Sequence, residues 1–97
     1  MTEQEQKILR TFVIRVNDDI EMERENSQLR IVGHIKANIG SRGEKLFLDV
    51  DFGESQFRDI ELSYDIDLIM DSWERFEKEV FSMKQQIKEK TVDFIYG

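Results

Sequence analysis

Cysteine and proline are both missing from this chain, and histidine occurs once, at His34. Without thiols there is no disulfide, no thiolate metal centre and no cysteine nucleophile. One imidazole leaves no histidine pair to hold zinc. No apolar run approaches the roughly 18 residues of a membrane-spanning helix. The opening MTEQEQK also lacks the basic and apolar segments of a secretory leader. These absences lead us to expect a soluble, cytoplasmic protein with no membrane contact.

What the chain has in excess is charge. Of its 97 residues 36% are charged and 39% hydrophobic, against about 25% charged in an average domain. That length supports one core, so residues 1–97 read as a single domain. The net charge of −7 is unevenly placed. Residues 1–48 hold eight acids and eight bases, and residues 72–97 hold five of each. Residues 49–71 hold eight acids against Arg58 alone, which accounts for the whole excess. An acidic window of this kind argues against direct nucleic-acid binding, which needs cations to displace counterions, and in favour of a basic protein surface as partner.

The apolar pattern divides the chain. Thr2-Glu3-Gln4-Glu5 has the form of a capping box, which predicts a short helical turn at the start, with a frayed terminus as the alternative. Phe12-Val13-Ile14-Arg15-Val16 is β-branched and alternating, which predicts a strand with Phe12, Ile14 and Val16 inward. Asn17-Asp18-Asp19 then reads as a turn, and residues 20–26 as an extended arm, with a long loop or a short helix as the alternatives. Leu29 to Ile39, Leu46 to Phe52 and Ile60 to Tyr64 alternate clearly and are joined by turns around Gly40-Ser41-Arg42-Gly43 and Gly53. From Asp65 the period changes to 3.6, and Ile69, Trp73, Phe76, Val80, Met83 and Ile87 predict one helix ending near Lys90. Asp65, Asp67 and Asp71 sit near its start and Lys84, Lys88 and Lys90 near its end, as the macrodipole favours. Val92 to Tyr96 reads as a last strand. The expected fold is α+β: a four-stranded antiparallel meander, one long C-terminal helix on its apolar face, and a short terminal strand. A helix of about 24 residues is roughly 36 Å long, so it would overhang a strand of about 27 Å unless something else covers its end.

Keeping every apolar side chain on one face sets the strand registers. Ile39 falls opposite Glu44, Ile35 opposite Leu48 and Gly33 opposite Val50. The next hairpin places Val50 opposite Ile60 and Leu48 opposite Leu62. The outer face then carries three rows: His34, Asp49 and Glu61; Val32, Asp51 and Asp59; Lys36, Phe47 and Ser63. Carboxylates facing each other across a pair repel. This face, with Asp49, Asp51, Glu54, Asp59, Glu61, His34 and the exposed Phe47, is therefore the candidate partner-binding site. The alternatives are a merely solvated face and a divalent-cation site built from Asp49, Asp51, Asp59 and Glu61 with His34. No Ca-loop pattern supports the latter, so no metal or cofactor is expected.

The long helix offers a second surface. Its 4-3-4-3-4 spacing resembles a short heptad run, and Leu68, Met70 and Phe81 widen its apolar side. Met70, Trp73, Phe81, Phe94 and Tyr96 form a candidate homodimer interface, with the last strand pairing across it. No phosphate loop, nucleophile elbow or buried acid pair appears, so the chain does not read as an enzyme. In size and charge it resembles small acidic antagonists such as toxin-immunity proteins and phage inhibitors that mimic nucleic acid. That profile implies a binding module that inhibits or neutralises a basic partner. The alternative is a homodimeric structural or accessory protein built on the helix and the terminal strand.

Overall fold

The computed structural model describes residues 2–26, 33–40, 43–51 and 57–96, with side chains described at 2–23, 34–37, 44–49 and 60–91. The element order is α1 (Glu3–Asn26), β1 (Gly33–Gly40), β2 (Gly43–Asp51), β3 (Phe57–Leu62), α2 (Ile66–Asp71) and α3 (Trp73–Tyr96). The strands form one antiparallel sheet in the order β1-β2-β3. Three expectations are corrected. Among the described residues the sheet has three strands rather than four, a long helix opens the chain, and residues 92–96 belong to a helix rather than a strand.

The segment expected as the first strand is part of α1. Leu9, Phe12, Val16 and Ile20 recur at helical spacing and are all buried, with Ile8 and Val13 packed beside them. Ile14, which the alternating reading turned inward, is 61% exposed. Burial along more than three turns overrides the β-propensity of a five-residue run, because propensity is a weak local term. The capping box forms as its sequence requires. Glu5 N donates to Thr2 Oγ1 at 3.1 Å, and Thr2 N donates to Glu5 Oε1 at 3.3 Å. These bonds from Thr2 hold the Glu5 carboxyl below its ordinary pKa. They start a 24-residue helix rather than a single turn.

At the other end, the expected single helix is two. Asp65 caps α2, accepting from Asp67 N at 3.0 Å. Ser72 then takes an extended conformation, φ −158° and ψ 165°. Its Oγ accepts from Arg75 N at 3.2 Å, so it caps α3. Because α3 continues to Tyr96, Lys84 and Lys88 lie well before the last turn, which contains no base. They serve a different purpose. Lys84 Nζ reaches Asp19 at 3.1 Å and Glu23 at 3.6 Å, and Lys88 Nζ reaches Glu23 at 3.1 Å. Arg15 grips Glu77 with two bonds, of 2.7 and 2.9 Å, and its Nε lies 3.3 Å from Asp19. The pairing order shows that α1 and α3 run parallel, seamed along one side by opposite charges.

Both helices lie on the same face of the sheet. Leu9, Phe12, Val16 and Ile20 of α1 meet Ile35, Leu46, Leu48 and Leu62 of the sheet, Ile69 of α2, and Phe76, Val80, Met83 and Ile87 of α3. Phe12 and Phe76 close the helix pair edge to face at 5.7 Å.

The free edges of the sheet are bonded by the same helices. The Asn17 amide donates to Ile35 O and accepts from Ile35 N, both at 2.9 Å, on edge strand β1. Just past edge strand β3, Gln86 accepts from Ser63 N at 2.9 Å and donates to Ser63 O at 3.0 Å. Each amide imitates one rung of a further strand where exposed peptide groups would invite another chain. Glu44 is the odd residue of the interior. It shares the inward parity of Leu46, is 5% exposed, and neither carboxylate oxygen has a hydrogen-bond partner among the described residues. The Tyr64 hydroxyl donates to the Glu44 carbonyl. Burial, and then the Glu44 charge, push the phenol above its ordinary pKa.

These contacts differ in what their loss should cost. Asn17→Ala strands a part-buried peptide group and should cost about 1–3 kcal/mol in urea denaturation. Gln86→Ala, at the solvent-exposed Ser63, should cost less, and equal losses would contradict that ranking. Glu44→Leu removes an uncompensated buried carboxylate and should raise stability by about 1–3 kcal/mol. A destabilised Glu44→Leu would mean that this carboxylate has a partner.

Candidate functional site

Of the residues expected on the carboxylate-rich face, His34, Phe47, Asp49 and Glu61 have described side chains, and their cross-strand neighbours differ from those expected. The β1–β2 register is the expected one, with Ile39 opposite Glu44, Ile35 opposite Leu48 and Gly33 opposite Val50. The β2–β3 register is displaced by two residues: Leu48 faces Ile60, Leu46 faces Leu62 and Val50 faces Arg58. A shift of two leaves every side chain on its face, so hydrophobic parity alone does not distinguish the two registers. The rows become His34–Asp49–Asp59 and Lys36–Phe47–Glu61. By register, Asp49 stands opposite Asp59 instead of Glu61, and Asp51 opposite Phe57 instead of Asp59.

Basic side chains from outside the acidic window, two lysines and His34, lie on this face. Asp49 Oδ2 lies 3.7 Å from His34 Nε2 and 3.9 Å from Lys36 Nζ. Glu61 Oε1 lies 3.7 Å from Lys45 Nζ. At α2, Asp65 is occupied in capping and Asp71 lies 3.9 Å from Arg75 Nε. Exposed pairs of this kind add only tenths of a kcal/mol to stability, but they lower the field that a basic partner would meet. Phe47 is half-buried between Lys36 and Glu61. The side chains of Val32, Asp51, Glu54 and Asp59 lie outside the described residues, and with them part of the expected cation site. Among the described residues no cluster of three metal-ligating side chains forms, and no helix is long and apolar enough to cross a membrane.

The second surface arises from the break at Ser72. A continuous helix would keep Trp73 on the buried stripe with Ile69 and Phe76. The extended Ser72 separates the two segments, so Ile69 stays buried while Trp73 is 69% exposed. The indole stacks on Phe76 at 5.2 Å, with the rings 11° from parallel. Phe81, two turns along, is 61% exposed. Trp73 and Phe81 border one open hollow of about 550 Å³, with Glu74, Glu77 and Lys78 between them. Trp73 also borders a groove of about 460 Å³ between α1, α2 and α3, lined by Ile8, Ile69, Met70 and Phe76 with Lys7 at its rim.

Of the expected helical interface, Trp73 thus shares the groove with Met70 and the hollow with Phe81. Phe94 and Tyr96 lie in the last turns of α3 as helix, not as a pairing strand, and their side chains are outside the described residues. Sequence reasoning missed Asn17, Arg15 and Gln86. The signal for Asn17 was its place four residues after Val13 and three before Ile20, at the edge of the buried stripe, visible only once residues 3–26 are read with period 3.6.

Trp73 is the sole tryptophan, so it reports on this surface directly. In dilute solution its emission should be that of a solvated indole and be readily quenched by acrylamide. Blue-shifted emission protected from quencher at the lowest concentrations would place the ring inside the molecule. Compared with family models, with curated proteins and with solved structures, the chain matches none of them.

Proposed function

We propose that this chain is a protein-binding module whose contact surface is the outer side of α3 around Trp73 and Phe81, extended by Met70 on α2. One observation carries the reading: two large aromatic side chains, 69% and 61% exposed, flank a single hollow on one helix. Aromatic rings left in water on a small domain mark contact sites, because buried aromatic anchors supply much of an interface's energy. The Arg15–Glu77 pair supports it further, since a guanidinium held by two bonds neutralises the acid in the middle of the hollow. The Arg15 pKa is raised by these bonds, first by Glu77 and then by Asp19.

A second reading keeps the carboxylate-rich face as the dock for a basic protein, in the manner of an inhibitor or nucleic-acid mimic. The register that sets Asp49 opposite Asp59 favours it, because two acids at facing positions of an antiparallel pair suit a cationic visitor. The pairing of Asp49 with His34 and Lys36, and of Glu61 with Lys45, weakens it. A photo-crosslinking amino acid placed at position 81 or at position 61 separates the two. Adducts from position 81 with none from 61 are the expected result. Adducts from 61 alone would move the contact surface to the sheet.

A further inference from the structure

We infer that the occupant of the Trp73–Phe81 surface is a second copy of this chain, paired antiparallel along α3 about a two-fold axis at Glu77. This deepens the reading of the α3 face as a contact surface and rests on it. Trp73 and Phe81 lie four residues on either side of Glu77, about 12 Å apart along the helix. A two-fold axis through Glu77 therefore sets each Trp73 beside the Phe81 of the second copy, so both aromatic contacts form twice from one patch. That self-complementarity is what an isologous dimer requires. The hollow of about 550 Å³ between the two rings gives the opposing side chains room to enter.

The charges on the face fit the same axis. Glu74 and Lys78 are 82% and 64% exposed and lie 3.7 Å apart within one chain. In the antiparallel alignment Glu74 comes within about two residues, roughly 3 Å along the axis, of Lys78 of the second copy. Each acid then gains a second cation at the rim of the aromatic contact. The axis would otherwise bring two Glu77 carboxylates together. Arg15 of each copy already holds its own Glu77 at 2.7 and 2.9 Å, so the two residues meet as neutral pairs. Opposed helix dipoles favour the antiparallel arrangement over the parallel one. A basic partner of another kind would meet Lys78 beside each acid, whereas a second copy matches both signs.

Charge exchange tests this. Sedimentation velocity of the whole chain between about 1 and 300 µM should show reversible self-association, with acrylamide protection of Trp73 rising in step. Glu74→Lys and Lys78→Glu each place like charges across the axis and should weaken association roughly three- to tenfold. In the first variant positions 74 and 78 are both basic, and in the second both are acidic. An equimolar mixture therefore pairs a cationic rim with an anionic one, and should associate at least as tightly as wild type. Both positions are exposed, and circular dichroism checks that the fold survives. A wild type that stays monomeric throughout, or a mixture no tighter than its components, overturns the second copy. Adducts from position 81 to a different protein would then leave the α3 face standing as a contact surface. Their absence as well would sink that reading too.

Discussion

A three-stranded sheet with one apolar face can exclude water only if that face is covered across its full width, and a single helix about 10 Å across is too narrow to do so. Here two helices of 24 residues share the task, lying parallel on the sheet with Phe12 and Phe76 locking them together. The rest of the structure depends on this shared cover. It fixes which faces of α1 and α3 are buried, and it brings Arg15, Asp19 and Glu23 alongside Glu77, Lys84 and Lys88. It also puts Asn17 and Gln86 at opposite edges of the sheet.

The same packing decides where the charge lies. Along the chain, residues 49–71 are strongly acidic. In space, His34 and Lys36 come from β1, Lys45 from the start of β2 and Arg75 from α3, each beside an acid of that window. Sequence proximity counts charges along a line, whereas the field at a surface sums them over a radius of about a Debye length, near 8–10 Å. Cross-strand neighbours such as His34 and Asp49 fall well inside that radius. The sheet face thus meets solvent as interleaved charge among the described residues, while the α3 face meets it with two uncovered rings.

The parts of the fold and site that were legible have short-range causes. The T-x-x-E cap, the alternation in β1 and β2 and the glycine hairpin between them depend on residues within a few positions of one another. So does the aspartate at the start of α2. The two-residue slip between β2 and β3 was illegible because Leu46 and Leu48 fit opposite Ile60 or Leu62 with no change of face. The helical state of residues 3–26 was obscured by Val13, Ile14 and Val16, whose β-branching is outweighed by burial of a stripe that starts at Leu9. The Ser72 break left the heptad spacing of Ile69 and Trp73 intact on paper while placing one inside and the other in water.

Side-chain period and local backbone chemistry, which a linear pattern records, were enough for the α+β class, the inward faces of β1, β2 and β3, the β1–β2 register and the helical state of residues 66–71 and 73–90. Long-range packing settled the remainder. It made residues 3–26 a helix, set Asn17 and Gln86 to guard the sheet edges, flanked Asp49 and Glu61 with basic residues, and gave Trp73 and Phe81 a common hollow. Each of those outcomes depends on which distant elements meet, and that choice follows the total apolar area removed from water rather than any one segment's preference.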